Sequence, residues 1–273
     1  MLPGYNTNGF AHHRLEDSID ILADLGYRSI ALTLDFHSLL PDDPVSKIEA
    51  VGARLAHHGL RVVIETGARF VLDPRRKHQP TLLDPDPAMR SIRRRFLEGS
   101  AEVGRALGAD AVSFWSGAPV SDEPERVLMT RLADECRHLA DHAAGIGQRI
   151  AFEPEPGMLV DTMDRYASLA GMVDHPAFGL TLDVGHLHCL GEVPTAPHAA
   201  RWKERLWNIH IEDMRPGVHD HLPFGEGTMD FAEVFTGLRA AGYAGGLHVE
   251  LSRHSHDAVA TAKRAMESIR SYA

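Results

Sequence analysis

Four acidic or imidazole side chains close short apolar runs in the second half of this 273-residue chain: Glu153 in RIAFEPEPG, Asp183 in GLTLDVGH, His210 in LWNIHIED and Glu250 in GLHVEL. A carboxylate at the end of an apolar run stands at the edge of a buried layer, where an ion needs a partner or a metal. One such acid alone reads as a strand-end residue facing solvent. Three carboxylates and an imidazole converging on one mouth would repel one another without a cation, so the set reads as the ligands of a divalent metal. Its oxygen-rich donors suit Mn²⁺, Co²⁺, Mg²⁺ or Zn²⁺. A second cluster follows the same runs: His186 lies three residues after Asp183, and His219 and His221 flank Asp220 ahead of a Gly-Glu-Gly turn.

Further residues could meet a substrate. Trp115 closes another apolar run and offers a flat apolar wall for a substrate. Glu155 is displayed by the stiff Glu-Pro-Glu-Pro-Gly segment. Glu65 and Arg69, four residues apart, are expected to form an ion pair shaping the pocket. Arg75, Arg76, Lys77 and His78 could receive a phosphate or carboxylate, or form a solvated loop face.

These residues need elements to hold them, and the chain supplies a repeated one: an amphipathic helical stretch, a Gly-containing turn, then a short apolar run. It recurs at Leu15–Leu34, Lys47–Ile64, Arg90–Phe114, Leu128–Phe152 and Phe231–Val249, with weaker copies at Met163–Leu182 and Ala199–Ile211. Glycine after a helix accepts the left-handed conformation that stops it. An apolar run without alternation reads as a strand buried on both faces, as in parallel sheets. With Leu2–Tyr5 as a first strand and Asp257–Tyr272 as a last helix, the pattern gives eight strands and about eight helices. That predicts an α/β fold, a single (β/α)₈ barrel over residues 1–273 with its active site at the C-terminal strand ends. An open doubly wound sheet lacks its usual support, because no Gly-x-Gly-x-x-Gly follows the first strand and no phosphate-binding GxxxxGK[ST] is present. The Pro-punctuated stretch 69–87 reads as a long functional loop of that barrel.

Composition narrows the partners. The chain carries 28 Lys and Arg against 38 Asp and Glu, a formal charge of −10, which argues against a polyanion binder. No nucleic-acid partner is therefore expected. Two cysteines, Cys136 and Cys189, make no disulfide framework or CxxC site. The sequence shows neither signal-peptide pattern nor membrane-spanning apolar run, so a cytoplasmic protein without a membrane partner is expected.

The motifs GLTLDVGH, NIHIEDMRPG, FGEGTMDF and HVEL together resemble the xylose isomerase-like TIM barrels. That superfamily contains sugar-phosphate isomerases, ketose 3-epimerases, inosose dehydratases, hydroxypyruvate isomerases and endonuclease IV. The resemblance spans nearly the whole chain and implies a shared metal site on Glu153, Asp183, His210 and Glu250. It also implies that His186 contacts a substrate hydroxyl or carbonyl oxygen and that Arg215 matches a substrate arginine of the epimerases. In the endonuclease IV branch, the counterparts of His186, His219 and His221 hold another ion, here in an altered version. That branch has two further histidines at the ends of strands three and four, where this chain reads Ile64-Glu65-Thr66 and Phe114-Trp115-Ser116.

The resemblance thus implies a metal-dependent sugar or cyclitol isomerase or epimerase that abstracts a proton next to a carbonyl. Glu153 and Glu250 would serve as the catalytic carboxylates through an ene-diolate. Dehydration of an inosose on the same site, an endonuclease IV-like phosphodiesterase, and a non-catalytic carbohydrate-binding barrel are the alternatives. Barrels of this size commonly pair into homo-oligomers.

Overall fold

The computed structural model describes residues 1–272; Ala273 lies outside them. Each Gly-terminated unit folds as one helix and one strand. The helices α1 (Leu15–Leu25) and α3 (Pro87–Leu107) stop at Gly26 and Gly108, with φ of 98° and 65°, values that only glycine adopts without strain. Some helix starts are fixed by capping side chains. Asp86 accepts from Ala88 N at the head of α3, and Thr162 accepts from Arg165 N at the head of α5 (Met163–Val173). The remaining outer helices are α2 (Val45–His57), α4 (Glu125–Gly145), α7 (Thr195–Trp202), α8 (Phe231–Ala240) and α9 (Ala258–Tyr272).

The strands are β1 (Leu2–Asn6), β2 (Ser29–Thr33), β3 (Arg61–Glu65), β4 (Val112–Phe114), β5 (Ile150–Phe152), β6 (Phe178–Asp183), β7 (Leu206–Ile211) and β10 (Gly246–Val249). They pair in parallel in chain order, and β10 closes the ring against β1. Every residue of β2 and β6 is buried, which is why these runs lack alternation in the sequence. Side chains such as Ile30, Leu32, Val62, Ile64, Phe152 and Leu182 belong to the apolar core shared by the sheet and the helices. Polar groups fill part of the barrel interior, where His248 Nδ1 donates to Asn208 Oδ1 at 2.7 Å and Ser29 Oγ pairs with His248 Nε2 at 2.8 Å.

Register decides which strand ends meet. Asp183 lies opposite His210, His210 opposite His248, and Thr33 opposite Glu65. The short helix α6 (Val184–Leu190) starts directly on Asp183, whose Oδ1 accepts from His186 N at 3.0 Å. The segment around His219 and His221 is an antiparallel hairpin of β8 (Asp213–Arg215) and β9 (Val218–Leu222). The tight Gly217 turn and the Gly225-containing turn beyond it permit that pairing. Among the described residues, no helix is long and apolar enough to cross a membrane.

Candidate active site at the C-terminal strand ends

Along a strand, residues two apart share a face. Asn208 and His210 on β7 therefore both point into the barrel, and Glu250, two residues beyond His248, caps the same interior at the end of β10. Glu153 follows β5 and Asp183 ends β6. One donor atom from each of Glu153, Asp183, His210 and Glu250 lies within 4.8 Å of the others, so the four residues singled out in the sequence meet in space.

His210 is the hub. Its Nδ1 faces Glu153 Oε1 at 3.0 Å and Glu250 Oε2 at 2.9 Å, and its Nε2 faces Glu65 Oε1 at 2.8 Å. Burial alone would discharge this imidazole, but the charges of Glu65, Glu153 and Glu250 raise its pKa well above the ordinary histidine value. Burial pushes Glu153 up to about 8, although His210 opposes it. Burial also opposes ionisation of Glu250, yet His210 and the amide of Asn8, donating to Oε1 at 2.8 Å, hold it well below the usual carboxylate range. The site thus holds several acids around one imidazolium in the absence of a cation. A divalent ion in place of the Nδ1 proton would face the same carboxylates, while Glu65 would remain on Nε2, the usual partner arrangement of a metal-ligating histidine. Asp183 Oδ2, buried and without a hydrogen-bond partner, is a further free donor. The residues present therefore fit a divalent cation with oxygen-rich ligands.

Glu65, Glu153, His210 and Glu250 line a cavity of about 360 Å³, bordered also by Trp115, Glu155, His186, His219 and His221. That volume falls in the range of small-molecule sites. His186 Nδ1 donates to Pro154 O at 3.1 Å, and its Nε2 lies 3.0 Å from His219 Nε2, which in turn lies 3.2 Å from His221 Nε2. Burial lowers the His186 pKa to about 4. Glu155 is pushed up to about 7, by burial and then by the neighbouring charge of Glu250. Trp115 is wedged between His78, edge-on at 5.2 Å, and the Arg93 guanidinium, 5.3 Å from its ring centre.

Arg215 is not among the residues bordering the cavity: it sits on β8, exposed, and its guanidinium donates to Glu226 O. Two expectations need correction. Glu65 does not pair with Arg69, because β3 ends at Glu65 and Arg69 lies in the connection beyond it, outside the strand geometry that aims Glu65 into the barrel. It is buried instead, bonded to His210 and to Asn208 Nδ2 at 2.9 Å. Of the basic run, the Arg76 guanidinium folds back on Asp73, which also accepts from the backbone N–H of Arg75 and Arg76, while Lys77 and His78 border the cavity with Arg69.

Sequence reasoning missed Asn8, Asn208, Glu212 and Arg253. Arg253 borders the cavity and pairs with Asp220. The alternation Asn208-x-His210-x-Glu212 was the available signal for two of them, since it puts all three on one strand face.

The residues 19–272 match the family model of the xylose isomerase-like TIM barrels. The chain belongs to that family. L-ribulose-5-phosphate 3-epimerase UlaE of Escherichia coli is 22% identical over 260 residues, which cover 93% of this chain and 88% of the relative. Among solved structures, this xylose isomerase-like barrel is similar to D-allulose 3-epimerase from Methylomonas sp., at 20% identity and a TM-score of 0.79, covering 100% of this chain and 98% of the other. It is also similar to the IOLI protein with a bound zinc atom, at 18% identity and a TM-score of 0.79, covering 100% and 99%. These structural likenesses establish the barrel.

Proposed function

We propose that this chain is a divalent-metal-dependent isomerase or epimerase of a sugar or cyclitol, with Glu153 and Glu250 exchanging a proton at a carbon next to a carbonyl. The observation that carries this reading is the pair of carboxylates on His210 Nδ1, at 3.0 and 2.9 Å, on the floor of one cavity. The two named epimerases among its relatives act on ketoses or their phosphates at carbon 3, which supports the same chemistry. Glu153, Asp183, His210 and Glu250 hold the ion, which when bound polarises a carbonyl and acidifies the adjacent C–H. One of the two glutamates takes the proton and the other returns it, general acid–base work suited to carboxylates held in different environments.

His186 is assigned to a substrate oxygen, Trp115 to an apolar face of the substrate, and Glu155 to a hydroxyl near the rim. Lys77 and Arg69, at the mouth, suit an anionic far end such as a phosphate. His186, His219 and His221 also offer a three-imidazole donor set for a second ion. The ion identity follows from the ligand chemistry as Mn²⁺, Co²⁺, Mg²⁺ or Zn²⁺, and a zinc atom accompanies one structural neighbour.

The test is solvent-deuterium exchange into a panel of ketoses, ketose phosphates and inososes, with each of the four metals in turn. Exchange at a single carbon, abolished by chelation and reduced at least about 100-fold in Glu153→Gln and Glu250→Gln, is expected. Full turnover in either variant would overturn the two-carboxylate mechanism. Loss of water from an inosose would replace isomerisation with dehydration, and binding without exchange would leave a carbohydrate-binding barrel.

A further inference from the structure

Glu212 has no role in the proposed reaction, yet it is completely buried beside the site, with both carboxylate oxygens lacking any hydrogen-bond partner. Two other buried atoms close to it also lack a hydrogen bond: His221 Nδ1, and Asp183 Oδ2, which has His186 Nε2 at 3.4 Å. Glu212 Oε2 stands 3.6 Å from His221 Nδ1, beyond hydrogen-bonding distance but within the spacing of two donors on one metal ion. One donor atom from each of Asp183, Glu212 and His221 lies within 4.8 Å of the others. On the facing side, a Cβ at Gly185 would collide with Glu212 Oε1, so the glycine of Asp-Val-Gly-His leaves the space that the carboxylate occupies.

A buried carboxylate without hydrogen bonds is strongly unfavourable, and two of them converging on one point, faced only by the imidazoles of His221 and His186 at 3.6 and 3.4 Å, make a site that favours a cation. The three-imidazole cluster differs in this respect. Its three Nε2 atoms, 3.0 and 3.2 Å apart, have no carboxylate among them, so that set holds no buried negative charge for a cation to offset.

From this contrast we propose that Asp183, Glu212 and His221 hold a second divalent cation, adjoining the four-residue site and sharing Asp183 with it. Two oxygens and one imidazole nitrogen suit Mn²⁺ or Zn²⁺. The inference rests on the reading that Asp183 is also a ligand of the first ion. Glu212, and not His219, then decides whether the second ion binds.

The full chain is loaded with Mn²⁺, freed of excess metal, and assayed for metal content and by electron paramagnetic resonance. Wild type is expected to hold two ions per chain with a spin-coupled spectrum, Glu212→Gln one ion without coupling, and His219→Ala two. Gly185→Ala, which presses on the carboxylate from the other side, should weaken the second Mn²⁺ about tenfold or more while the first changes little. It serves as the alternative variant if Glu212→Gln does not fold. Retention of two coupled ions by Glu212→Gln, or an unchanged second affinity in Gly185→Ala, would overturn the assignment. Loss of the second ion in His219→Ala with Glu212→Gln unaffected would move that ion to the three imidazoles and equally overturn it. A wild type with one ion that His210→Ala abolishes removes the second site alone. A wild type with none removes the reading of the first site as well.

Discussion

At the scale of single residues, the chemistry turns on what stands behind His210. Glu65 faces Nε2 at 2.8 Å and so orients the imidazole toward Glu153 and Glu250. Glu65→Gln is expected to lower metal affinity about 10- to 100-fold, the usual cost of losing a carboxylate behind a ligating histidine. Competition against a fluorescent chelator would measure it, and unchanged affinity would show that Glu65 does not orient the ring. Asn8, bonded to Glu250 Oε1 at 2.8 Å, belongs to the same argument: Asn8→Ala should reduce kcat more than it changes KM. The four candidate ligands were legible because each ends an apolar run. Glu65 ends one too, but linear spacing offered Arg69 as its partner, and only the closure of β3 against the barrel interior turns it toward His210.

At the scale of elements, the long connection between β3 and α3 is held down by one buried cation. Arg93 on α3 is 4% exposed and donates to Pro80 O at 2.8 Å and His78 O at 2.7 Å, with its guanidinium against Trp115. Its ligands are all backbone carbonyls, so the loop that carries Lys77 and His78 over the cavity is pinned at two points. Arg93→Met leaves those carbonyls without a donor and is expected to cost about 1–3 kcal/mol. Limited proteolysis within residues 69–86 should accelerate, and KM should rise; an unaltered cleavage pattern would show that the loop is held by other contacts. The helix cap at Asp86 is a smaller effect, with Asp86→Ala expected to cost about 1 kcal/mol in thermal unfolding. Helices and strands were readable from their Gly-ended periodicity. The β8–β9 hairpin was not, because its five outer residues Val218–Leu222 are half-exposed and mostly polar, with no buried face to impose a pattern.

At the scale of the whole molecule, the concentration of buried acids makes stability depend on pH and on metal. In chelated protein, Glu153 and Glu155, with pKa pushed up to about 8 and about 7, bind protons in the folded state that the unfolded chain releases near pH 4.5. Their contribution is therefore full at low pH and is lost as pH rises from about 5 to about 8. His186 and His78, both lowered to about 4, act with the opposite sign, and their contribution is lost as pH falls from about 6.5 toward 4. Thermal unfolding of the chelated protein should show a maximum between these limbs, and Glu153→Gln should flatten the alkaline one. A pH-independent Tm would contradict both assignments. Saturating metal at about 100 times its Kd should add about 2.7 kcal/mol, roughly 5–10 °C in Tm.

The sequence by itself determined the barrel and its four converging ligand candidates, because parallel strands buried on both faces leave uninterrupted apolar runs and the residue ending each run must stand at the mouth. Tertiary structure alone decided the roles of Glu65, Asn8, Gly185 and Glu212. Their significance lies in which buried atoms find partners and which do not, and that depends on side chains brought together from strands far apart in the chain.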